Sequence, residues 1–203
     1  MISTDDQIFR KIKKAKRGSL FFLDDFSDYG NAKTVGKALE RLTKSGELHR
    51  VATGMYVRPV QDKVIGIVLP GIEEVVEAIR KRDKARIVPT GSYALYKLGL
   101  TTQVPMNVVY YTDSTARKIK VGKQTITFKR ASARSLSAIG DISRLVIQAL
   151  RTIGKDKVTD EELKKIRELL TKEKSFHLQY DLRLAPEWIR RLLKPIKNDI
   201  PHE

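Results

Sequence analysis

Apolar residues recur at helical spacing along residues 5–16. Ile8, Phe9, Ile12 and Ala15 share one side, and Arg10, Lys11, Lys13, Lys14 and Lys16 turn outward. Gly18 is expected to end that helix. "SLFFL" (19–23) reads as a short strand and "DDFSDYG" as a brief helix stopped by Gly30. Asn31 is positioned to N-cap a longer helix, "AKTVGKALERLTKSG", which Gly46 terminates. Two β-like runs between Leu48 and Arg58 follow, and Pro59 closes the unit. Beyond it, residues 60–69 fit no single pattern, whereas 71–83 are helical through Ile72, Val75, Val76 and Ile79. "PTGSYALYKLGL" (89–100) predicts a short helix capped by Thr90, and "NVVYYT" (107–112) a strand. "RKIKV" and "TITFKR" form a hairpin joined at Gly122. From Asp141 onward the pattern is helical: Thr159 with Glu162 makes a capping box, and Pro186 opens a last helix holding Trp188, Ile189, Leu192 and Leu193.

The order helix, strand, short helix, longer helix, hairpin over the first 60 residues is that of a winged helix-turn-helix. The fold class that follows is α+β. A DNA-binding domain spans 1–60, and a mixed α+β domain spans 61–203, with a small antiparallel sheet and C-terminal helices. Side-chain parity sets the expected hairpin. His49 and Val51 share a face with Met55 and Val57 when the loop is the three residues Ala52-Thr53-Gly54, with Gly54 at positive φ. That register puts Arg50 across from Tyr56, with Arg58 on the same, outward side. In the helix before it, Val35, Ala38, Leu39 and Leu42 gather on one side and Lys33, Lys37, Arg41 and Lys44 on the other. A helix of this kind fits the major groove of B-DNA, with Asn31, Lys33, Thr34 and Lys37 deepest. The expected DNA-binding set is therefore Asn31, Lys33, Thr34, Lys37, Arg41, Lys44, Arg50, Thr53, Tyr56 and Arg58. Gly36 leaves room for a close backbone approach, and Glu40 interrupts the stripe unless Lys44 neutralises it.

Composition strengthens this picture. The 203 residues carry 40 Lys or Arg against 24 Asp or Glu, a formal charge of +16, which favours a polyanionic partner. Residues 61–203 alone hold 28 Lys or Arg against 17 Asp or Glu. Lys118, Lys120, Lys123, Lys129 and Arg130 cluster at the expected second hairpin, a basic surface suited to DNA or RNA. There is no Cys, which excludes disulfides, thiolate metal sites and Cys nucleophiles and suits a cytoplasmic location. No apolar run reaches membrane-spanning length.

The stretch "FSDYGNAKTVGKALERLTKSGELHRVATGMYVRP" resembles the N-terminal winged helix of the abortive-infection antitoxins of type IV toxin–antitoxin systems. The match rests on Val35, Leu39, Arg41-Leu42, Gly46, Leu48, Arg50-Val51, Gly54, Tyr56 and Pro59. "PTGSYALYKLGLTTQVP" (89–105) is similar to the apolar Gly–Ala–Gly-Leu–Val-Pro segment of that family's C-terminal region. The resemblance implies a cytoplasmic antitoxin and transcriptional regulator. Such a protein represses its own operon through double-stranded operator DNA with inverted repeats, and opposes a nucleotidyltransferase-like toxin without a stable complex. The alternative is an RNA- or toxin-binding module on a degenerate nucleotidyltransferase-like scaffold.

No catalytic constellation is legible. "TGSYAL" resembles the Gly-Ser signature of nucleotidyltransferases, but Asn107 and Val109 stand where metal-binding carboxylates are required, and Asp113 is alone. His49, His177 and His202 are scattered, with no partner at metal-ligand spacing. The expectation is a binder without cofactor, metal or enzymatic activity.

Overall fold

The computed structural model describes residues 3 to 194, so His202 lies outside the described residues. The chain is mixed α+β, with its strands in three small sheets. It divides into two compact units. The first runs through Lys81 and includes Ile119–Gly122; the second comprises Arg82–Lys118 and the chain from Lys123 onward.

The first unit begins with α1 (Thr4–Lys14), whose N-cap Ser3 accepts a hydrogen bond from the Asp6 amide at 3.2 Å. The helix stops four residues before Gly18. Ala15 is already extended, and the Arg58 guanidinium donates to the carbonyls of Lys13 (3.0 Å) and Ala15, satisfying groups that the helix end leaves open. Next come β1 (Leu20–Phe22), a 3-10 turn at Leu23–Tyr29, and α2 (Ala32–Lys44). Asn31 Oδ1 caps α2 by accepting from the Thr34 amide at 2.9 Å. At the other end Gly46, at φ 78°, donates to Thr43 O and Glu47 donates to Leu42 O, the paired bonds of a Schellman stop.

β2 (His49–Ala52) and β3 (Met55–Val57) complete a three-stranded antiparallel sheet of order β1-β3-β2. Arg50 faces Tyr56 as the parity argument requires, but Ala52 rather than Val51 opposes Met55. A bulge between Arg50 and Ala52 takes up the extra residue, with Gly54 at φ 69° in the turn. Ile8 and Ile12 of α1, Val35, Ala38, Leu39 and Leu42 of α2, and Phe21, Phe26, Leu48 and Tyr56 form one core. A fully buried aliphatic or aromatic side chain contributes about 1.5–3 kcal/mol, so this cluster is what holds α2 in place. The stretch 60–69, unassigned by pattern, is a separate two-stranded ribbon of β4 (Val60–Asp62) and β5 (Gly66–Val68); α3 (Ile72–Asp83) follows.

The second unit contains β6 (Ile87–Thr90), α4 (Ser92–Lys97), β7 (Asn107–Thr112), the first two residues of β8 (Arg117–Val121), and β9 (Gln124–Arg130). Helices α5 (Ser143–Ile153), α6 (Asp160–Leu170), α7 (Ser175–Leu184) and α8 (Glu187–Leu193) come after them. The sheet order is β6-β7-β9-β8. The sheet is not purely antiparallel as expected, because β7 and β9 pair in parallel. The reason is composition: β9 brings buried Ile126 and Phe128 beside buried Val108 and Tyr110, while β8, with exposed Lys118 and Lys120, suits an edge. Thr90 is not the cap of α4. It ends β6 as a buried residue whose hydroxyl lies 3.4 Å from Gln148 Oε1, and Gly91 takes the cap position. The Thr159–Glu162 capping box forms as the sequence indicates.

Two buried carboxylates organise the start of α5. Asp181 accepts from the amides of Ile139 (2.8 Å) and Gly140 (2.9 Å) and from Ser143 Oγ (2.5 Å). Glu173 accepts from the amides of Ile142 (2.7 Å) and Ser143 (3.1 Å). Burial pushes the Glu173 carboxyl up. The amides of Ser143, Ile142 and Lys174, together with His177, outweigh this and leave it below the ordinary glutamate value. A depressed folded pKa means stability that is complete above the unfolded value of about 4.3 and is lost as pH falls through the folded one. Thermal melts of wild type should therefore lose stability below about pH 4 more steeply than those of Glu173→Gln. Parallel acid limbs would contradict this arrangement.

Candidate nucleic-acid interface

The residues expected to meet DNA separate into three groups. Asn31, Lys33, Thr34 and Lys37 line the exposed first half of α2, whose opposite side is buried through Val35, Ala38, Leu39 and Leu42. Lys33 and Lys37 have no hydrogen-bond or ion-pair partner among the described residues. Asn31 and Thr34 are tied to each other, the Thr34 hydroxyl lying 3.1 Å from Asn31 Oδ1. Gly36 has open space around it: a Cβ there would meet nothing within 4 Å, so packing inside the protein does not require a glycine.

Partners already hold the second group. Arg41 makes a two-pronged contact with Asp5 of α1, both bonds at 2.6 Å, and the Arg41 hydrogen bond holds the Asp5 carboxyl below its usual range. Lys44 pairs with Glu40 at 2.9 Å, as the four-residue spacing implied. The Lys44 hydrogen bond is the main cause of the lowered Glu40 pKa, with Arg41 and Arg50 adding weaker attraction. Arg50, exposed on β2, thus joins the same electrostatic neighbourhood as the second half of α2. Thr53 is exposed in the turn, which Gly54 O anchors by accepting the Leu23 amide at 3.0 Å.

Tyr56 and Arg58 depart from the expected outward face. The Tyr56 residue is 8% exposed and belongs to the core with Phe21, its partner across β1. β3 is paired on both edges, and all three of its residues are buried, so neither of its faces is left to solvent. Arg58 is occupied at the end of α1. Nothing in the sequence couples Arg58 to Lys13, or Asp5 to Arg41 across 36 positions; only the folded chain brings them together.

Among the basic residues of α1, Lys13 pairs with Glu47 at 2.9 Å, and Lys11 lies 5.3 Å from the Phe26 ring centre. In the second unit Lys118, Lys129 and Arg130 are exposed and without a hydrogen-bond or ion-pair partner among the described residues. Asp113, the lone acid of the nucleotidyltransferase comparison, accepts both the amide and Nε of Arg86, at 2.8 and 2.9 Å. No group of three or more His, Cys, Asp or Glu among the described residues could hold a metal ion. No described helix is long and apolar enough to cross a membrane. Trp188 is half-buried against the helical core of the second unit.

The sequence profile of DUF6088, a family of unknown function, matches residues 7–178. The chain belongs to DUF6088. No curated protein matches this family member. Among solved structures it is similar to the crystal structure of the RV2827C protein from Mycobacterium tuberculosis, at 11% identity and a TM-score of 0.45. That match covers 100% of this chain and 84% of the other.

The three groups predict different mutant behaviour. Arg58→Ala removes the donor to two helix-end carbonyls and should lower the unfolding free energy by about 1–2 kcal/mol. Arg50→Ala should leave it within about 0.5 kcal/mol of wild type. Denaturant midpoints measure both. Equal midpoints for Arg58→Ala and wild type would contradict the structural role of Arg58.

Proposed function

We propose that this DUF6088 protein is a DNA-binding transcriptional regulator whose first sixty residues act as a winged helix-turn-helix. α2 is the recognition helix, and the β2–β3 ribbon, carrying Arg50 and Thr53, is the wing. The observation that carries the reading is the first half of α2. It is fixed from behind by a full apolar face, and it presents Lys33 and Lys37 to solvent with no internal partner. Surface lysines normally serve solubility. Here they stand at the end of a helix that a groove admits, with Arg50 on the strand that follows. The +16 charge supplies the long-range attraction such a partner needs.

The narrower reading rests on the resemblance of residues 26–59 and 89–105 to abortive-infection antitoxins. On it, the protein represses its own operon at inverted repeats and counters a nucleotidyltransferase-like toxin in the cytoplasm without binding it stably. It is a binder rather than an enzyme. The contact set loses Tyr56 and Arg58, and it keeps Asn31, Lys33, Thr34, Lys37, Arg50 and Thr53. Arg41 and Lys44 are available only if DNA competes with Asp5 and Glu40.

Fluorescence anisotropy with duplex from the protein's own promoter tests this directly. Wild type should bind with an affinity that falls as salt rises, and Lys33→Glu/Lys37→Glu should abolish binding with far-UV circular dichroism unchanged. Undiminished binding by that variant, or preferential copurification with RNA, would refute the reading. Gly36→Ala provides a second check. Replacing a helix-interior glycine that nothing crowds should stabilise the protein by about 1 kcal/mol, and a duplex backbone lying against Gly36 should make the same change weaken DNA binding. A gain in stability with unaltered affinity would move the duplex away from this side of α2.

A further inference from the structure

The β4–β5 ribbon carries an apolar surface that the fold leaves uncovered. The strands pair at Val60↔Val68, Gln61↔Ile67 and Asp62↔Gly66, and neither pairs with any other strand. Asp62 closes the turn by accepting the amides of Val64 (2.7 Å) and Ile65 (3.0 Å). Ile67 and Val68 of β5, with Ile65 in the turn before it and Leu69 just after it, form a run of exposed aliphatic side chains, 46%, 37%, 73% and 39% exposed. Val64, at the turn, is 92% exposed. An isolated two-stranded ribbon is moreover only marginally stable in water.

Charge narrows the choice of cover. From Val60 to Ile72 the ionisable residues are Asp62 and Lys63, which cancel, in a chain whose total is +16. A nucleic acid finds almost no cation here, and an anionic lipid surface finds one lysine where apolar insertion is normally flanked by several. A second copy of the chain can approach at this neutral stretch with little like-charge repulsion. An open strand edge is also self-complementary when run antiparallel about a twofold axis. A standard interface buries about 800 Å² per partner, which the exposed aliphatic side chains would supply together with the ribbon's backbone and polar side chains. Pro70, which lacks an amide donor, ends the edge just past Leu69 and limits the pairing to a short, closed contact.

We infer that the β4–β5 ribbon is the contact between two copies of this protein, with β5 pairing antiparallel to its counterpart across a twofold axis near Ile67. The inference uses a surface different from the DNA-binding one. It supplies the twofold symmetry that inverted repeats require.

Sedimentation velocity without DNA tests it at micromolar protein. Wild type should sediment as a dimer and Ile67→Lys as a monomer, with matching circular dichroism. A monomeric wild type, or a dimeric Ile67→Lys, overturns the proposal. Should Ile67→Lys fail to fold, Ile67→Cys decides. The chain has no other cysteine, so mild oxidation should yield a covalent dimer on a non-reducing gel, and absence of one overturns the proposal. Binding of a monomeric wild type to phosphatidylserine vesicles, lost in Ile67→Lys, would assign the ribbon to a lipid surface instead. A dimer that does not bind DNA would refute the proposed function alone; a monomer that binds DNA would refute this contact alone.

Discussion

The pairing of β1 with β3 governs the geometry of the first unit. Once Leu20, Phe21 and Phe22 run beside Val57, Tyr56 and Met55, β3 has a neighbour on each edge. Its side chains enter the protein interior on both faces, since all three residues are buried. Tyr56 and Phe21 meet the helices, and through Leu39 and Leu42 they fix where α2 lies. The same pairing carries Arg58 alongside Ser19, where its guanidinium reaches the last carbonyls of α1. One short strand thus decides which cations serve the fold and which remain available for a partner.

That division explains what the sequence could and could not disclose. Helix limits set by local chemistry were readable. Asn31 caps α2 and Gly46 stops it because each acts on amides or carbonyls within four residues. The Thr159–Glu162 box is equally local. Periodicity likewise assigned Val35, Ala38, Leu39 and Leu42 to the core, since a helix has one buried side. Parity in the hairpin was weaker. It correctly set Arg50 opposite Tyr56, but it assumed that one face stays wet, and the burial of Met55, Tyr56 and Val57 alike removes that premise. The parallel β7–β9 pair was hidden for a similar reason: the β8–β9 turn is local, whereas the slot into which β9 fits is set by β7. Arg41 looked like a groove-facing cation because Asp5 is 36 residues away in sequence and adjacent only after α1 has docked.

The ribbon at 60–69 illustrates the opposite case. Its aliphatic residues alternate, but Val64 and Val68 interrupt the alternation, and Gly66 and Pro70 suggest turn or loop. The pattern therefore fitted both a strand and a connector. In the folded chain the ambiguity resolves into a two-stranded ribbon whose turn and second strand carry exposed aliphatic side chains. A residue pattern that satisfies strand formation but not burial has its missing half elsewhere, and its neutral charge selects what that half can be.

Electrostatic arithmetic joins these surfaces. A formal +16 overstates what a duplex would meet, because Arg41, Lys44 and Lys13 are held by Asp5, Glu40 and Glu47, and Arg58 by backbone carbonyls. In the first unit Lys33, Lys37 and Arg50 remain at the proposed contact. Each phosphate neutralised adds about −0.9 to the slope of log affinity against log salt, so three such cations give roughly −3, a weak and salt-sensitive grip for one copy. Two copies joined through the proposed ribbon contact would double that slope, each making the same three phosphate contacts, and the second copy would bind at the effective concentration that the link provides. The charge that would draw the protein to DNA would otherwise keep its copies apart. A stretch whose two charges cancel is therefore a place where a +16 chain can meet itself with little like-charge repulsion, and it coincides with the exposed aliphatic run around β5.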